Sequence, residues 1–194
     1  MLTAPRVARI LVFMTQRPVR RLNAAGLFEY AVRLLGGRAH SSGELRRKMT
    51  LKAETAADID PVIARLKDLG YLDDKRFAES FASARKENQG FGQTRVIRDL
   101  RQRLVAPTVA GRAVQRVYSE ADEVAMIDAY IRRKYRKAAS DVLFQAPKDL
   151  ASAYRRLINA GFDSTKAIRA LKKFAADPDL LDRFEPPTEE PADE

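Results

Sequence analysis

Cysteine is absent from all 194 residues. Disulfides, thiolate zinc sites and a cysteine nucleophile are thereby excluded, and a reducing cytosol is the expected compartment. Histidine is nearly absent too. The single His40 has no second imidazole with which to share a metal, so it is expected beside a helix cap and not as a ligand or base. Long apolar runs are also missing. The longest candidate, Ile10 to Met14, is far short of the ~20 residues that cross a bilayer, and it is too brief, with no small-residue cleavage site after it, to act as a secretory signal. Neither a membrane partner nor export is expected. Glycine-rich phosphate cradles are lacking as well: Gly90-Phe91-Gly92 has none of the further glycines of a dinucleotide fingerprint and is read as a turn before a helix, and no Gly-Lys-Ser or Gly-Lys-Thr occurs. With no convergent nucleophile, base or metal cluster, the chain is expected to be non-enzymatic, with no cofactor and no metal. The adjacent Asp73 and Asp74, directly before Phe77 and Phe81, suit helix capping better than acid–base work.

What is abundant is positive charge. Lys and Arg number 36 against 26 Asp and Glu, a net charge of +10, yet the stretch from Asp177 to Glu194 holds eight acids and one base. Without it, Met1 to Ala176 carries +17, enough to attract a polyanion or an acidic partner surface. An apolar content of 45% with 32% charged residues describes a folded, polar-surfaced protein, and this length allows one globular domain or a few small modules.

Strand signals are nearly absent, whereas apolar residues recur at helical spacing from Leu27 almost to Phe174, which predicts an all-α protein. Leu27, Phe28, Ala31, Leu34 and Leu35 form one stripe; Ile59, Val62, Ile63, Leu66 and Leu69 a second; Phe77, Ala78, Phe81 and Ala84 a third. Six more helices are centred on Leu45, Leu100, Val114, Ile127, Tyr154 and Ile168, giving nine of roughly two to four turns each. Ser41 with Glu44 and Ser119 with Asp122 have capping-box spacing, so both pairs are expected at helix starts. Pro61 must lie in a first turn, which favours Asp58 or Asp60 over Thr55 as the cap, and Pro107 and Pro147 are expected to open helices. Gly36-Gly37, Gly70 and Gly161 follow periodic runs and suit helix ends.

Three second helices superpose in a weak repeat, Leu45-x-x-x-Met49, Leu100-x-x-x-Leu104 and Leu157-x-x-x-Gly161, at offsets of 55 and 57 residues. Helix triplets this small cannot each bury a large core, so neighbours are expected to stack into an elongated, curved array; chance register among helical leucines is the competing explanation. Residues 1–22 read as a flexible basic arm, with Met14 as an alternative start, and residues 177–194 as an acidic disordered tail able to fold back onto basic surface. Three basic clusters are the candidate contacts with nucleic acid or an acidic partner surface: Arg46, Arg47 and Lys48; Arg95, Arg98, Arg101 and Arg103; and Arg132, Arg133, Lys134, Arg136 and Lys137. Arg95, Arg98 and Arg101 share roughly one helix face and suit a row of phosphates or acids. The third cluster suits the helix macrodipole equally well, because Glu120, Asp122 and Glu123 start that helix. Tyr130 and Tyr135 within it fit the core stripe better than a base-stacking role.

Arg38-Ala-His40-Ser41-Ser-Gly-Glu44-Leu45, then Gly70-Tyr71-Leu72-Asp73-Asp74-Lys-Arg76-Phe77-Ala78, then Gly90-Phe91-Gly92 with Arg95, Ile97 and Leu100, closely resemble successive motifs of the RecX family. Arg156-Leu157 to Gly161-Phe162 resembles its C-terminal repeat. Gly43 departs from good helix-forming sequence within the first capping turn. The resemblance implies three tandem three-helix repeats of helix-turn-helix character, assigned to 23–73, 74–119 and 120–176. It implies a monomer that binds RecA recombinase filaments on DNA, with possible direct DNA contact, and modulates, usually inhibits, strand exchange and the associated coprotease activity, without catalysis. The alternative from the residues alone is a stand-alone nucleic acid-binding protein of helix-turn-helix type.

Overall fold

In a computed structural model, residues 21–136 and 143–177 are described. The expected basic arm as far as Arg20, most of the acidic tail and the candidate Lys137 lie outside those residues; Arg21 and Leu22, assigned to the arm, instead belong to the first unit, where Leu22 pairs with Ala53 and Arg21 donates to its carbonyl. The described chain holds nine α-helices: α1 (Ala24–Gly37), α2 (Ser42–Thr50), α3 (Ile59–Asp68), α4 (Asp74–Ala84), α5 (Gln93–Gln102), α6 (Pro107–Tyr118), α7 (Glu123–Lys134), α8 (Pro147–Asn159) and α9 (Ser164–Lys172). The all-helical expectation is met, with two isolated parallel bridges, Leu22 to Ala53 and Phe144 to Ala175, as the extended pairing among described residues.

Local chemistry explains most of the helix starts. Ser41 and Glu44 form the reciprocal capping box at α2, and Asp73 accepts the Arg76 N–H at α4. Pro107 and Pro147 open α6 and α8, where their missing N–H removes a donor that the first turn would leave unpaired. One expectation is corrected. Asp122 alone caps α7, accepting from Val124 and Ala125, while Ser119 closes α6 and turns its hydroxyl back to the Arg116 carbonyl. A carboxylate three residues on competes better for the positive helix end than a hydroxyl already used locally. At α3, a 3-10 turn over Ala56–Asp58 leads directly into the helix, so Asp58 holds the expected N-cap position but makes no side-chain hydrogen bond there; Asp60 is turned to Arg46.

The helices bury three separate apolar clusters. Leu27, Leu45, Met49, Ile63 and Leu66 centre the first, from α1 to α3. Ala82, Val96, Leu100 and Val114 centre the second, from α4 to α6. Ile127, Ile131, Leu150, Leu157 and Leu171 centre the third, from α7 to α9. The chain is therefore three three-helix units in tandem. Phe91 and Met126 pack against both the second and third clusters, so apolar surface is continuous there. One repeat offset is shifted from its expected value. Leu104 and Gly161 both follow their helices with positive φ, 56° and 87°, so they are equivalent. Met49, fully buried inside α2, is not their counterpart. Counting from the helix starts instead aligns Leu45 with Val96, each four residues after its cap and each fully buried.

Candidate interaction surface

The three units meet through the ends of their second helices. At the first junction, the start of α2 abuts the end of α5. The Ser41 hydroxyl donates to the Arg103 carbonyl, while Ser42 donates from both its N–H and its hydroxyl to Asp74. A Cβ on Gly43 would lie 2.6 Å from the Leu104 Cβ, closer than any real contact, so the glycine that weakens the helix by sequence is what lets the two backbones approach. Beneath it, the Arg103 guanidinium donates to both Glu44 oxygens, at 2.7 and 3.1 Å. Its plane also faces the rings of Phe77 and Phe81.

Glu44 is almost fully buried. Burial alone would push its carboxyl up, but the Arg103 hydrogen bonds, the Ser41 N–H and the Arg38 charge together hold it below the usual carboxylate range. His40, also buried, puts Nδ1 3.3 Å from Glu44, but without hydrogen-bond alignment, so this nitrogen is unsatisfied. Burial, aided by Arg38, lowers the imidazole pKa. The imidazole is therefore neutral at pH 7, in the helix-cap position expected from the sequence.

The second junction follows the same plan with backbone in place of the ion pair. Gly92 at the start of α5 donates its N–H to the Ala160 carbonyl at 2.8 Å, and the Thr94 N–H reaches the Gly161 carbonyl at 3.3 Å. Cβ atoms at Gly92 or Gly161 would collide with Phe162 N or Arg95 Cα, at 2.7 and 2.9 Å. Arg95 and Arg98 both donate to the Asn159 carbonyl, meeting the negative end of α8. The buried Tyr118 hydroxyl donates to the Phe91 carbonyl at 2.6 Å, and its burial pushes the phenol up to about 12.

The candidate cations therefore divide. Arg103 is committed to Glu44, and Arg95 bridges Asp99 at 2.9 Å as well as Asn159. Arg133 donates to the Asn88 and Gln89 carbonyls across the second junction. Arg132 and Lys134 lie against the rings of Phe174 and Tyr130, and Arg46 pairs with Asp60 at the surface. Arg47, Lys48, Arg101 and Arg136 make no ion pair with described residues; all but Lys48, which is half-buried, are exposed. Tyr130 and Tyr135 pack edge-on against Phe162 and Phe144, as core residues. Sequence reading missed the junctions, although Gly43 was the available signal: a helix-weakening residue needs a tertiary reason.

A cleft of about 1300 Å³ opens between the first two units. Phe77 and Phe81, stacked at 6.1 Å, line its wall along with the exposed Tyr71, and Arg38, Lys67 and Arg76 also border it.

Comparison with known proteins places this architecture. The family model described as the first three-helix domain of RecX matches residues 28–66, and that of the second three-helix domain matches residues 73–114. The regulatory protein RecX of Pelodictyon phaeoclathratiforme is 34% identical over 112 residues, 58% of this chain and 68% of that protein. That of Chlorobium phaeobacteroides is 31% identical over 137 residues, 71% of this chain and 85% of its own. The chain belongs to the RecX family. RecX from Lactobacillus salivarius shares the fold with a TM-score of 0.63 at 16% identity, over 78% of this chain and 96% of that one. Identity that low with a shared fold fits a RecX architecture set by apolar spacing and helix-end contacts. RecX relatives are named regulatory proteins, and no helix among the described residues is long and apolar enough to cross a membrane.

Proposed function

We propose that this chain regulates RecA recombinase by binding its filament on DNA, inhibiting strand exchange and coprotease activity in DNA repair and the SOS response. It acts in the cytoplasm as a monomer, without catalysis or cofactor, and its repeats at 23–73, 74–119 and 120–176 serve as successive contact units. The observation that carries this reading is the head-to-tail linkage of three helical units, the second and third strongly cationic, through one kind of joint, the start of one second helix on the end of the next. A polymeric target presents the same surface at regular intervals, and each weak contact made by one unit raises the effective concentration of the next. Arg47, Arg101 and Arg136 are the cations with most freedom to engage it, and direct DNA contact through them is part of the proposal.

The test is recombinase ATP hydrolysis together with filament length by electron microscopy, with and without the protein. Slower hydrolysis and shorter filaments are expected; no change in either rejects the reading. Equally tight binding to bare DNA and to the recombinase filament would favour a stand-alone nucleic acid-binding protein.

A further inference from the structure

At the second junction the cations outnumber the carboxylates within reach. Arg95 and Arg85 share one buried acid, Asp99, at 2.9 and 3.6 Å. Arg133 donates to the Asn88 and Gln89 carbonyls, which accept hydrogen bonds but cancel no charge. Arg156, exposed on α8, makes neither an ion pair nor a hydrogen bond with a described residue; its guanidinium carbon rests 5.7 Å from the centre of the Tyr135 ring.

Three of these guanidiniums surround one phenol. Tyr130 is only 6% exposed. Arg133 lies 5.6 Å from the centre of its ring, and Arg95 reaches the Asn159 carbonyl at 3.4 Å, one helical turn from Arg156. The charges of Arg156, Arg133 and Arg95 all act on the Tyr130 hydroxyl. That hydroxyl makes no hydrogen bond with a described residue, yet it is not among the side-chain atoms sealed from water. A buried phenol ordinarily has a partner, as Tyr118 has in the Phe91 carbonyl. Burial, with a smaller contribution from Tyr135, raises the Tyr130 pKa from 10.0 against the pull of the three arginines, so the phenol is a proton donor at neutral pH.

A phosphate group answers all of these features together. The donors left over are Nη2 of Arg95, Nε of Arg133, the whole Arg156 fork and the Tyr130 hydroxyl. Guanidinium forks match phosphate oxygens, and a phosphate accepts at more oxygens than the two of a carboxylate. We propose that Arg95, Arg133, Arg156 and Tyr130 form a phosphate-binding site across the second junction, built from α5, α7 and α8. Its ligand is a phosphate group, free or within a nucleic acid backbone. The site does not rest on the recombinase reading and uses none of the cations assigned there.

The probe is inorganic phosphate, titrated at constant ionic strength in chloride and followed by the broadening of its phosphorus NMR line. Saturable binding is expected. Arg156→Gln should weaken it at least about tenfold and Tyr130→Phe about two- to fivefold, the losses that go with a charged and a neutral hydrogen bond. Arg155→Gln, which removes an exposed charge from the next position of α8, should bind as the parent does. Circular dichroism melts in chloride verify folding, and Tyr130→Phe, which removes a hydroxyl without a partner, should melt with the parent. A single-stranded oligothymidylate without terminal phosphate identifies the source: displacement of phosphate assigns the site to a backbone diester, and retention assigns it to free phosphate. Absence of saturable binding, or equal losses in Arg155→Gln and Arg156→Gln, overturns the proposal. So does acetate that competes as well as phosphate, which would assign the site to carboxylates of an acidic partner.

Discussion

At the scale of single residues, the Glu44–Arg103 pair is the most consequential contact. Both Glu44 oxygens are used and its side chain is 7% exposed, whereas that of Arg103 is 29% exposed. Removing the carboxylate strands a partly buried guanidinium that water reaches only in part. Glu44→Ala is therefore expected to destabilise the protein by about 2–3 kcal/mol in urea titrations, below the full penalty of breaking a wholly buried pair. The pH dependence has a definite sign. The Glu44 pKa is lowered from 4.5, so its stabilisation is complete above about pH 4.5 and is lost as pH falls through the folded-state value. His40, lowered from 6.5, acts in the same direction from higher pH: the unfolded chain takes up a proton that the buried ring resists. Thermal melts should show stability falling below about pH 6.5 and again below about pH 4.5. Glu44→Gln should flatten the lower step, and a melting temperature in this variant that still drops as steeply below pH 4.5 would remove Glu44 as its source.

At the scale of elements, glycines decide how second helices meet. Gly43→Ala forces a methyl into the carbonyl and Cβ of Leu104, and Gly92→Ala forces one into the Gly161–Phe162 peptide. Each neighbour is backbone or fixed to it, so relief requires the units to separate, at a cost of about 1–3 kcal/mol. Gly36, inside α1 with nothing near its missing Cβ, gives the opposite expectation. There Gly36→Ala should stabilise by about 0.5–1 kcal/mol through helix propensity. Denaturation midpoints of the three variants measure the contrast, and comparable losses at Gly36 and Gly43 would remove close approach as the cause.

At the scale of the whole molecule, the arginines of α5 and its C-cap perform different tasks. Arg103 holds the first junction, Arg95 and Arg98 reach the end of α8, and Arg101 faces solvent. Reversing all of Arg95, Arg98 and Arg101 would confound binding with assembly of the units. Arg101→Glu is expected to leave the melting temperature unchanged, weaken binding to the recombinase filament several-fold and reduce its salt dependence. Arg103→Glu, facing Glu44, should instead lower the melting temperature by several degrees. Fluorescence anisotropy over a salt series, beside thermal melts, separates the two. Filament binding by Arg101→Glu that matches the parent at every salt concentration would discard that position as a contact.

The sequence by itself determined the helices and the core that each triplet buries. Apolar periodicity, prolines at Pro107 and Pro147, and the Ser41–Glu44 box act over one or two turns, a range within which neighbours along the chain fix the outcome. It also carried the family motifs and the excess of positive charge. Which arginines stay available and why Gly43 interrupts a capping turn were decided by tertiary structure alone. Glu44 and Arg103 are 59 residues apart, as are no two partners in a helical repeat, and a pairing across that separation leaves no periodic trace. It arises only when two folded units bring the ends of their second helices close enough for a missing Cβ and a buried charge to matter.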